Sequence, residues 1–403
     1  MHIPSARVHR EMLSEETGTW VVPAIGNGDT AILIKAPSST LKALVSGAKL
    51  EFVFGVKDGY LCCGTRIFDV PDAPVLLCSV QRHLEEHEAL TRVAKSGKTP
   101  VFLYNELDVC VAWSGGVIES EEMVALQKFT SDPARFYSGP ITPDLNTILD
   151  KFEPVLEFGS NLDNTFELLE VSLAHGPWTA NIISFAGTRH HQTVILTDAN
   201  EGGVLEKTTW ASLESVFPLS LYHSPQVHIG NKSRELTDVL AFYEYGTFFF
   251  ESKDLSVIQA GIERGRERRL KGTQKQAHYA IEQLVGASKA AKRGEVVTDS
   301  DNEVINLVLD KPIHCIALLT ELMHEGDWSN IEKALINAMI ETGDFFHLFD
   351  LREFITLLKA SNGEPHLFDY NLIKRCERFV ESRSVHMRSR MGQKKPTPKG
   401  MES

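Results

Sequence analysis

The chain has 403 residues, of which 42% are hydrophobic and 24% charged, and its formal net charge at pH 7 is −13. A chain of this length buries a large core and is expected to form two or three domains. No apolar run approaches the ~18 residues that span a bilayer, and residues 1–16 lack the apolar centre of a signal peptide, which together predict a cytosolic protein with no membrane partner.

The cysteines are scattered and make no C-x-x-C pair, which disfavours both a disulfide framework and a zinc site. Free thiols in a reducing compartment are therefore predicted for all of them: Cys62, Cys63, Cys78, Cys110, Cys315 and Cys376.

Residues 1–130 alternate short apolar runs with turns, a pattern typical of an α+β module. We expect a five-stranded sheet with one or two helices. The predicted strands are Trp20–Val22, Ala31–Ile34, Leu50–Phe54, Val75–Cys78 and Val101–Tyr104, and an amphipathic helix is predicted over Gln81–Ala94.

Two histidines, His83 and His87, have the i, i+4 spacing of a helical metal site. No glutamate stands at the catalytic position of H-E-x-x-H, and no third ligand is evident. A solvated helix face is the favoured interpretation.

The middle of the chain contains a stretch rich in proline, glycine and serine at residues 131–144, which predicts a linker. Residues 145–200 follow as an α+β connecting region, with a helix at Leu145–Leu156 and apolar runs at Ala180–Phe185 and Thr193–Thr197. A third region, 201–382, carries the motif described next.

The stretch 234–258 is predicted to form a β-hairpin. An apolar run from Thr237 to Tyr243 is separated from a second run, Thr247 to Phe250, by the turn signal Glu244-Tyr245-Gly246. Two antiparallel strands joined by a tight turn are therefore expected.

Three charged residues lie in this hairpin: Asp238, Glu251 and Lys253. Side chains alternate along a strand, so Glu251 and Lys253 share one face. A two-residue turn at 245–246 would place Asp238 opposite Lys253, and all three charges would then meet on one side. A three-residue turn would need a bulge to keep them together.

The chemistry of such a cluster is specific. Two carboxylates held side by side repel each other and need a cation, and hard oxygen ligands suit Mg²⁺ or Mn²⁺. An ammonium group two residues beyond the second carboxylate assists the attacking water and stabilises charge in the transition state. The alternative is a hairpin whose charges face solvent or form a salt bridge, but the apolar strands and three neighbouring phenylalanines favour a buried site.

This pattern resembles the signature of the PD-(D/E)xK nuclease superfamily, in which an Asp on one strand is followed by (D/E)-x-K on the next. Asp238 and Glu251-Ser252-Lys253 match it position by position, with Thr237 where proline is common. The downstream order resembles the superfamily's αβββαβ core: a long basic helical segment, a strand at Ile313–Thr320 and a strand-to-helix passage at Phe346–Leu351. The resemblance covers about residues 200–380 and implies a restriction-endonuclease-like domain, so the predicted fold class combines α+β and α/β.

The resemblance also implies two further polar residues. An acidic residue is expected on a helix before the first motif strand, and Glu214 is the best-placed candidate, with Glu206 second. On the predicted helix from Leu270 to Lys289, Gln283 matches the polar residue that some superfamily branches carry after the motif. For all three the alternative is an ordinary residue on the surface of a helix.

A basic cluster follows the hairpin. Phosphate backbones bind such patches through direct contacts and counterion release. The alternative is a helix face exposed to solvent, which is where runs of charged residues usually lie. The cluster consists of Arg264, Arg266, Arg268, Arg269, Lys271 and Lys275, against the single acidic residue Glu267.

The last region, 383–403, is basic and poor in apolar residues, which predicts a disordered tail. The predicted organisation is thus a module at 1–130, a linker at 131–144, a connecting region at 145–200, a nuclease-like domain at 201–382 and this tail.

The prediction for function is a Mg²⁺- or Mn²⁺-dependent nuclease in which Asp238 and Glu251 bind the metal and Lys253 assists the nucleophilic water. Nucleic acid is the expected partner, with DNA favoured and RNA left open. Family analogy suggests restriction, mobile-element biology or phage defence in bacteria, with the N-terminal module sensing a protein partner or a trigger and the oligomeric state open. The alternative is an inactive nuclease-fold binding or scaffold protein, although retention of all three motif residues favours an enzyme.

Overall fold

The computed structural model describes residues 4–24, 29–70, 73–158, 165–188, 190–254 and 266–389. Helices and several sheets make it a mixed α+β protein, as expected. The chain divides into two compact units, one formed by residues 1–211 with 252–276 and the other by 212–251 with 277–403. The boundaries predicted at 130, 144 and 200 are not the borders of these units.

The unit formed by 1–211 and 252–276 contains a nine-stranded sheet in its described residues. Its strands are β1 (Gly18–Pro23), β2 (Thr30–Lys35), β3 (Leu50–Lys57), β4 (Tyr60–Ile67), β5 (Val75–Gln81), β6 (Lys98–Tyr104), β7 (Cys110–Ile118), β8 (Glu167–His175) and β9 (Thr179–Ala180). The spatial order is β1-β2-β6-β7-β8-β3-β4-β5, with β9 paired to β7. A separate hairpin joins β10 (Ile182–Ala186) to β11 (His191–Ile195).

The end strand β1 approaches β4 and β5 at the other end of the sheet. The hydroxyl groups of Thr19 on β1 and Thr65 on β4 lie 2.7 Å apart, and the backbone N–H of Val21 on β1 donates to Oε1 of Gln81 on β5 over 3.3 Å. The sheet therefore curls on itself and encloses a core. The helices of this unit are α1 (Ala6–Ser14), α2 (Ser38–Val45), α3 (Leu84–Ser96), α4 (Ser120–Phe129), α5 (Pro143–Phe158) and α6 (Glu201–Leu213).

The expected five strands are all present, but the sheet is larger than predicted because β4, β7, β8 and β9 also join it. A glycine interrupts the apolar pattern of β4 at a point of close packing. A Cβ atom at Gly64 would lie 2.7 Å from Cδ1 of Leu156 on α5, so any larger residue there would force this side chain to shift. The same residue weakens the strand signal in the sequence.

The second unit contains a five-stranded sheet in the described residues, in the order β12-β15-β16-β18-β19. Its strands are β12 (Leu221–His223), β15 (Val239–Tyr243), β16 (Gly246–Lys253), β18 (His314–Leu319) and β19 (Phe345–Asp350). Strands β12, β15 and β16 are antiparallel neighbours, whereas β18 and β19 run parallel. A smaller sheet consists of β13 (Gln226–Ile229), β14 (Lys232–Glu235) and β17 (Val296–Thr298).

Four helices complete the description: α7 (Arg266–Lys292), α8 (Ser329–Thr342), α9 (Leu351–Ser361) and α10 (Pro365–Ser382). The border between the two units falls within β16, after Glu251, and within α7. Helix α7 buries Ala277, Ile281 and Leu284 on one face. No helix among the described residues is long and apolar enough to cross a membrane.

The segment after α10 differs from the expected disordered tail. Val385 is buried, and the guanidinium of Arg388 makes two hydrogen bonds of 2.6 Å to the carboxylate of Asp350. The prediction is wrong for residues 383–389, because a buried carboxylate at the start of α9 attracts this cation. Residues 390–403 lie outside the described part of the chain.

Candidate functional site

The hairpin carrying the motif forms with a different register from the predicted one. Tyr243 pairs with Gly246, so the turn is Glu244-Tyr245 rather than Tyr245-Gly246. The pairing of Asp238 with Lys253 is therefore wrong. Because the register moves by two residues, each side chain keeps its expected face of the sheet.

Asp238 and Glu251 are brought together by this register. Val239 of β15 lies opposite Phe250 of β16, so Asp238, directly before β15, and Glu251, directly after Phe250, lie at the same end of the hairpin. The hydroxyl of Thr237 donates to the carbonyl of Phe250 over 2.6 Å, so the chain before β15 still contacts β16 at this level.

Both carboxylates are buried, with 7% of Asp238 and 3% of Glu251 exposed. The hydrophobic strand around them accounts for this burial, since Phe248, Phe249 and Phe250 are fully buried. Phe248 and Phe250 lie on the face of β16 opposite to that of Glu251. The ring of Phe248 packs against Phe217 and Phe368, and the ring of Phe250 packs against Phe354.

Lys253 ends β16, two residues after Glu251, and is half-buried. Alternation along the strand puts its side chain on the same face as that of Glu251. The motif lysine thus follows the second carboxylate at the strand position that the sequence predicted.

The two candidates for the predicted acidic helix residue lie within and directly after α6. Glu214 lies in the turn immediately after α6 and is half-buried, and Glu206 is a half-buried residue within α6. A third glutamate, Glu201, opens α6 and is almost completely buried. Its position at the start of the helix was a signal that the sequence analysis did not use.

Gln283 is exposed on α7, in a turn where Ala280, Leu284 and Ala287 face the core. Its surroundings are those of a surface residue, and its role after the motif stays a prediction.

The basic cluster is split by the first turns of α7. Arg268, Lys271 and Lys275 are exposed, as is Arg266, and Lys271 pairs with Glu267 over 2.6 Å. Arg264 lies outside the described residues. Phosphate binding stays a prediction for these exposed cations.

Arg269 points the other way. Its guanidinium is buried and lies 2.8 Å from the carboxylate of Asp69. Arg269 therefore forms a buried ion pair instead of an exposed one, because helix periodicity directs its side chain to the opposite side of α7 from those of its basic neighbours.

A buried cation near the end of β16 was missed by sequence analysis. Nζ of Lys42 on α2 lies 2.9 Å from Oδ2 of Asp254 and 3.2 Å from Oε2 of Glu201. The available signals were a lysine between apolar residues of a short helix, Leu41-Lys42-Ala43-Leu44, and an aspartate directly after the motif.

The histidine pair on α3 does not form the expected solvated face. His87 is fully buried and its Nε2 lies 2.9 Å from the carbonyl of Gln81. His83 is the N-cap of α3, and its Nε2 lies 2.9 Å from Oε1 of Glu11.

One potential ligand atom from each of Glu11, His83 and Glu86, a carboxylate oxygen or a ring nitrogen, lies within 4.8 Å of the other two, a spacing compatible with a metal site. Guanidinium groups already neutralise this cluster, since Arg82 pairs with Glu11 and Arg7 with Glu86. Burial raises the pKa of Glu86, although Arg7 opposes this effect. The arrangement fits a cap that ties α1 to α3 better than it fits a metal site.

A second polar network lies in the unit of β18 and β19. Nε2 of His314 lies 2.8 Å from the carboxylate of Asp369, which also accepts a hydrogen bond of 2.5 Å from the hydroxyl of Tyr243. Nδ1 of His314 lies 3.0 Å from Nε2 of His347.

The pKa values in this network follow from burial and partners. Burial lowers the pKa of His347 well below its usual value, and His314 and Arg375 add to the effect. Burial acts to raise the pKa of Asp369, but hydrogen bonds from His314 and Tyr243 outweigh it and hold that pKa below its usual range.

Asp238 and Glu251 are two buried carboxylates at one end of the hairpin, and carboxylate oxygen atoms are the ligand type that Mg²⁺ and Mn²⁺ prefer. Metal binding by these two residues stays a prediction.

Comparison of the chain with protein-family models, with curated proteins and with solved structures found no match. The functional interpretation therefore depends on the residues and their geometry.

Proposed function

We propose that this protein is a nuclease that hydrolyses phosphodiester bonds with Mg²⁺ or Mn²⁺ at Asp238 and Glu251. The observation that carries the proposal is a pair of buried carboxylates at one end of the motif hairpin, Asp238 directly before β15 and Glu251 on β16. Two neighbouring carboxylates disfavour the ionisation of each other. A divalent ion offsets this repulsion.

The order of the elements supports a restriction-endonuclease-like domain. Helix α6 is followed by β12, β15 and β16, which are adjacent in the sheet, then by the long helix α7 and by β18. This is the αβββαβ order that the motif resemblance implies. The small strands β13 and β14 are an insertion between β12 and β15.

Each motif residue has a separate role in the proposed reaction. Asp238 and Glu251 hold the cation, which supplies Lewis-acid stabilisation to a phosphate oxygen when bound. Lys253, at the end of β16, stabilises the negative charge that develops on the phosphate and orients the attacking water. The exposed cations of α7 hold the nucleic-acid backbone.

The second candidate is a binding protein that keeps the fold without catalysis. The chain keeps Asp238, Glu251 and Lys253, and loss of catalysis in such folds usually accompanies loss of one of them. The enzyme is therefore the favoured function. Its predicted cytoplasmic location, its preference for DNA and a role in phage defence stay expectations from the family analogy.

The test is cleavage of single- and double-stranded DNA and RNA by the purified chain with Mg²⁺, with Mn²⁺ and with EDTA. We expect metal-dependent cleavage in the wild type and a loss of about 100-fold or more in Lys253→Ala, since removal of one charge-stabilising group typically costs that much. Lys232→Ala, which removes an exposed lysine of β14, is the matched control and should cleave like the wild type.

Two results would contradict the proposal. Absence of cleavage with every substrate and metal would favour the binding protein. Equal cleavage by Lys253→Ala and the wild type would place the activity at another site or in a contaminant.

A further inference from the structure

Three charged side chains lie buried together in the unit formed by 1–211 and 252–276. Lys42, Glu201 and Asp254 have only 2%, 1% and 4% of their side chains exposed. The ammonium group of Lys42 joins two carboxylates that are remote in sequence, one at the start of α6 and one directly after β16.

Such a cluster is costly to bury. Desolvation of each ion costs several kcal/mol, and well-packed hydrophobic residues often stabilise a protein as much or more. Its energetics alone therefore do not account for a lysine at position 42. Its geometry does, because one ammonium with three donors fixes two backbone segments at once.

The helix that carries Lys42 is itself held in place. At its first residue, Ser38, both the backbone N–H and the hydroxyl donate to the buried carboxylate of Glu106, over 2.7 and 2.6 Å. Lys42 lies one turn further along α2, so its backbone is held in place by the same anchoring of the helix.

The residues on both sides of the motif lysine have buried partners in this unit. Asp254 follows Lys253 directly, just after β16, and pairs with Lys42. Ser252 precedes Lys253, lies on the opposite face of β16, and has its hydroxyl 3.3 Å from that of Thr209 on α6.

We propose that Lys42 is a positioning residue that fixes the end of β16, and with it the direction of the Lys253 side chain, through its ion pair with Asp254. The inference rests on the proposed nuclease function, because it assigns to Lys42 a role in orienting the motif lysine. It also explains why a lysine is kept in the buried core of that unit.

The test compares Lys42→Met, which keeps most of the length of the side chain but removes its charge, with Lys42→Arg, which keeps the charge. We expect kcat of Lys42→Met to fall by about 10- to 100-fold, because small misplacements of a catalytic group have effects of that size. The Kd for Mn²⁺ should stay within about twofold, since Asp238 and Glu251 are unchanged. Lys42→Arg should recover part of kcat.

Lys35→Met is the matched control. Lys35 is equally buried in the same unit, where its ammonium group pairs with Asp108 and donates to the backbone carbonyls of Met12 and Glu15. Its loss should lower the melting temperature but leave kcat unchanged at temperatures where the protein is folded. This control separates a loss of stability from a loss of positioning.

Should Lys42→Met not fold, Asp254→Asn replaces it, because it keeps the pair of Lys42 with Glu201. We expect a smaller fall in kcat, about fivefold to tenfold, at unchanged Kd for Mn²⁺. Wild-type kcat in a folded Lys42→Met or Asp254→Asn protein would overturn the inference. Equal losses of kcat in Lys42→Met and Lys35→Met would also overturn it, whereas absence of cleavage in the wild type would instead contradict the proposed function.

Discussion

At the scale of single residues, the most informative feature is the position of Asp238 and Glu251 at one end of the motif hairpin. The two-residue turn at Glu244-Tyr245 brings these residues, thirteen positions apart in the numbering, to neighbouring places on the two sides of the hairpin. Both side chains are buried. The proposed metal binding is measurable without any substrate.

The first prediction concerns this cation. Mn²⁺ or Mg²⁺ should raise the melting temperature of the wild type, because a ligand that binds only the folded chain stabilises it by mass action. Glu251→Gln should abolish this increase and leave the melting temperature without metal equal or higher, since it removes the repulsion between the two carboxylates. Differential scanning fluorimetry at several metal concentrations gives the result.

Glu235→Gln is the control for that experiment, because Glu235 is an exposed glutamate on β14 of the same unit. Its metal-induced shift should equal that of the wild type. A full shift in Glu251→Gln would remove Glu251 from the proposed site.

At the scale of elements, the start of α9 determines the course of the chain after α10. Asp350 is the N-cap of α9 and accepts a hydrogen bond of 2.9 Å from the backbone N–H of Glu353. Burial acts to raise the pKa of Asp350, but the hydrogen bonds from Arg388 outweigh it, so the pKa lies below its usual range. Glu353 in turn accepts from Ser389 and from Arg375, which lies on α10.

The second prediction follows from this pairing. Arg388→Ala should lower the free energy of unfolding by about 1–3 kcal/mol, because it leaves the buried carboxylate of Asp350 without its main partner. Urea denaturation followed by circular dichroism measures the change. The loss should be greatest near neutral pH and shrink in acid as Asp350 becomes protonated.

Arg378→Ala is the comparison, since Arg378 forms an exposed pair with Glu381 on α10. Exposed pairs contribute little, and a change below about 0.5 kcal/mol is expected. If Arg388→Ala and Arg378→Ala had equal effects, the docking of residues 383–389 on α9 would be energetically unimportant.

At the scale of the whole molecule, stability should depend on pH through buried histidine. His347 is fully buried among His314, Phe349 and Arg375, and its pKa is far below the usual value of 6.5. The unfolded chain therefore binds a proton that the folded chain does not. The contribution of His347 is complete above about pH 6.5 and is lost as the pH falls below that value.

The third prediction is a fall in the free energy of unfolding between pH 7 and pH 5, by up to about 1.4 kcal/mol per pH unit from this group. His347→Phe should flatten that slope, because it removes the titrating ring at similar volume. Urea titrations at pH 5, 6, 7 and 8 test it, with the exposed His366→Phe as the control that keeps the wild-type slope. A slope unchanged by His347→Phe would assign the pH dependence to other groups.

The sequence by itself determined the local features of this protein. Hydrophobic runs predicted the five N-terminal strands, helix α3 and the strands at 314–319 and 345–350, because each depends on the periodicity of neighbouring residues. The motif hairpin was predicted for the same reason. The prediction of which side chains share a face of this hairpin was correct although the predicted register was wrong, because a shift of two residues leaves each side chain on the same face.

Tertiary structure decided everything that depends on residues distant in the chain. The pairing of Lys42 with Asp254, the burial of Arg269 against Asp69 and the docking of Arg388 on Asp350 join segments that no local pattern relates. The physical reason is that a charged side chain is more stable in water than in an apolar interior. Its burial becomes possible only when the fold places an oppositely charged or hydrogen-bonding partner beside it.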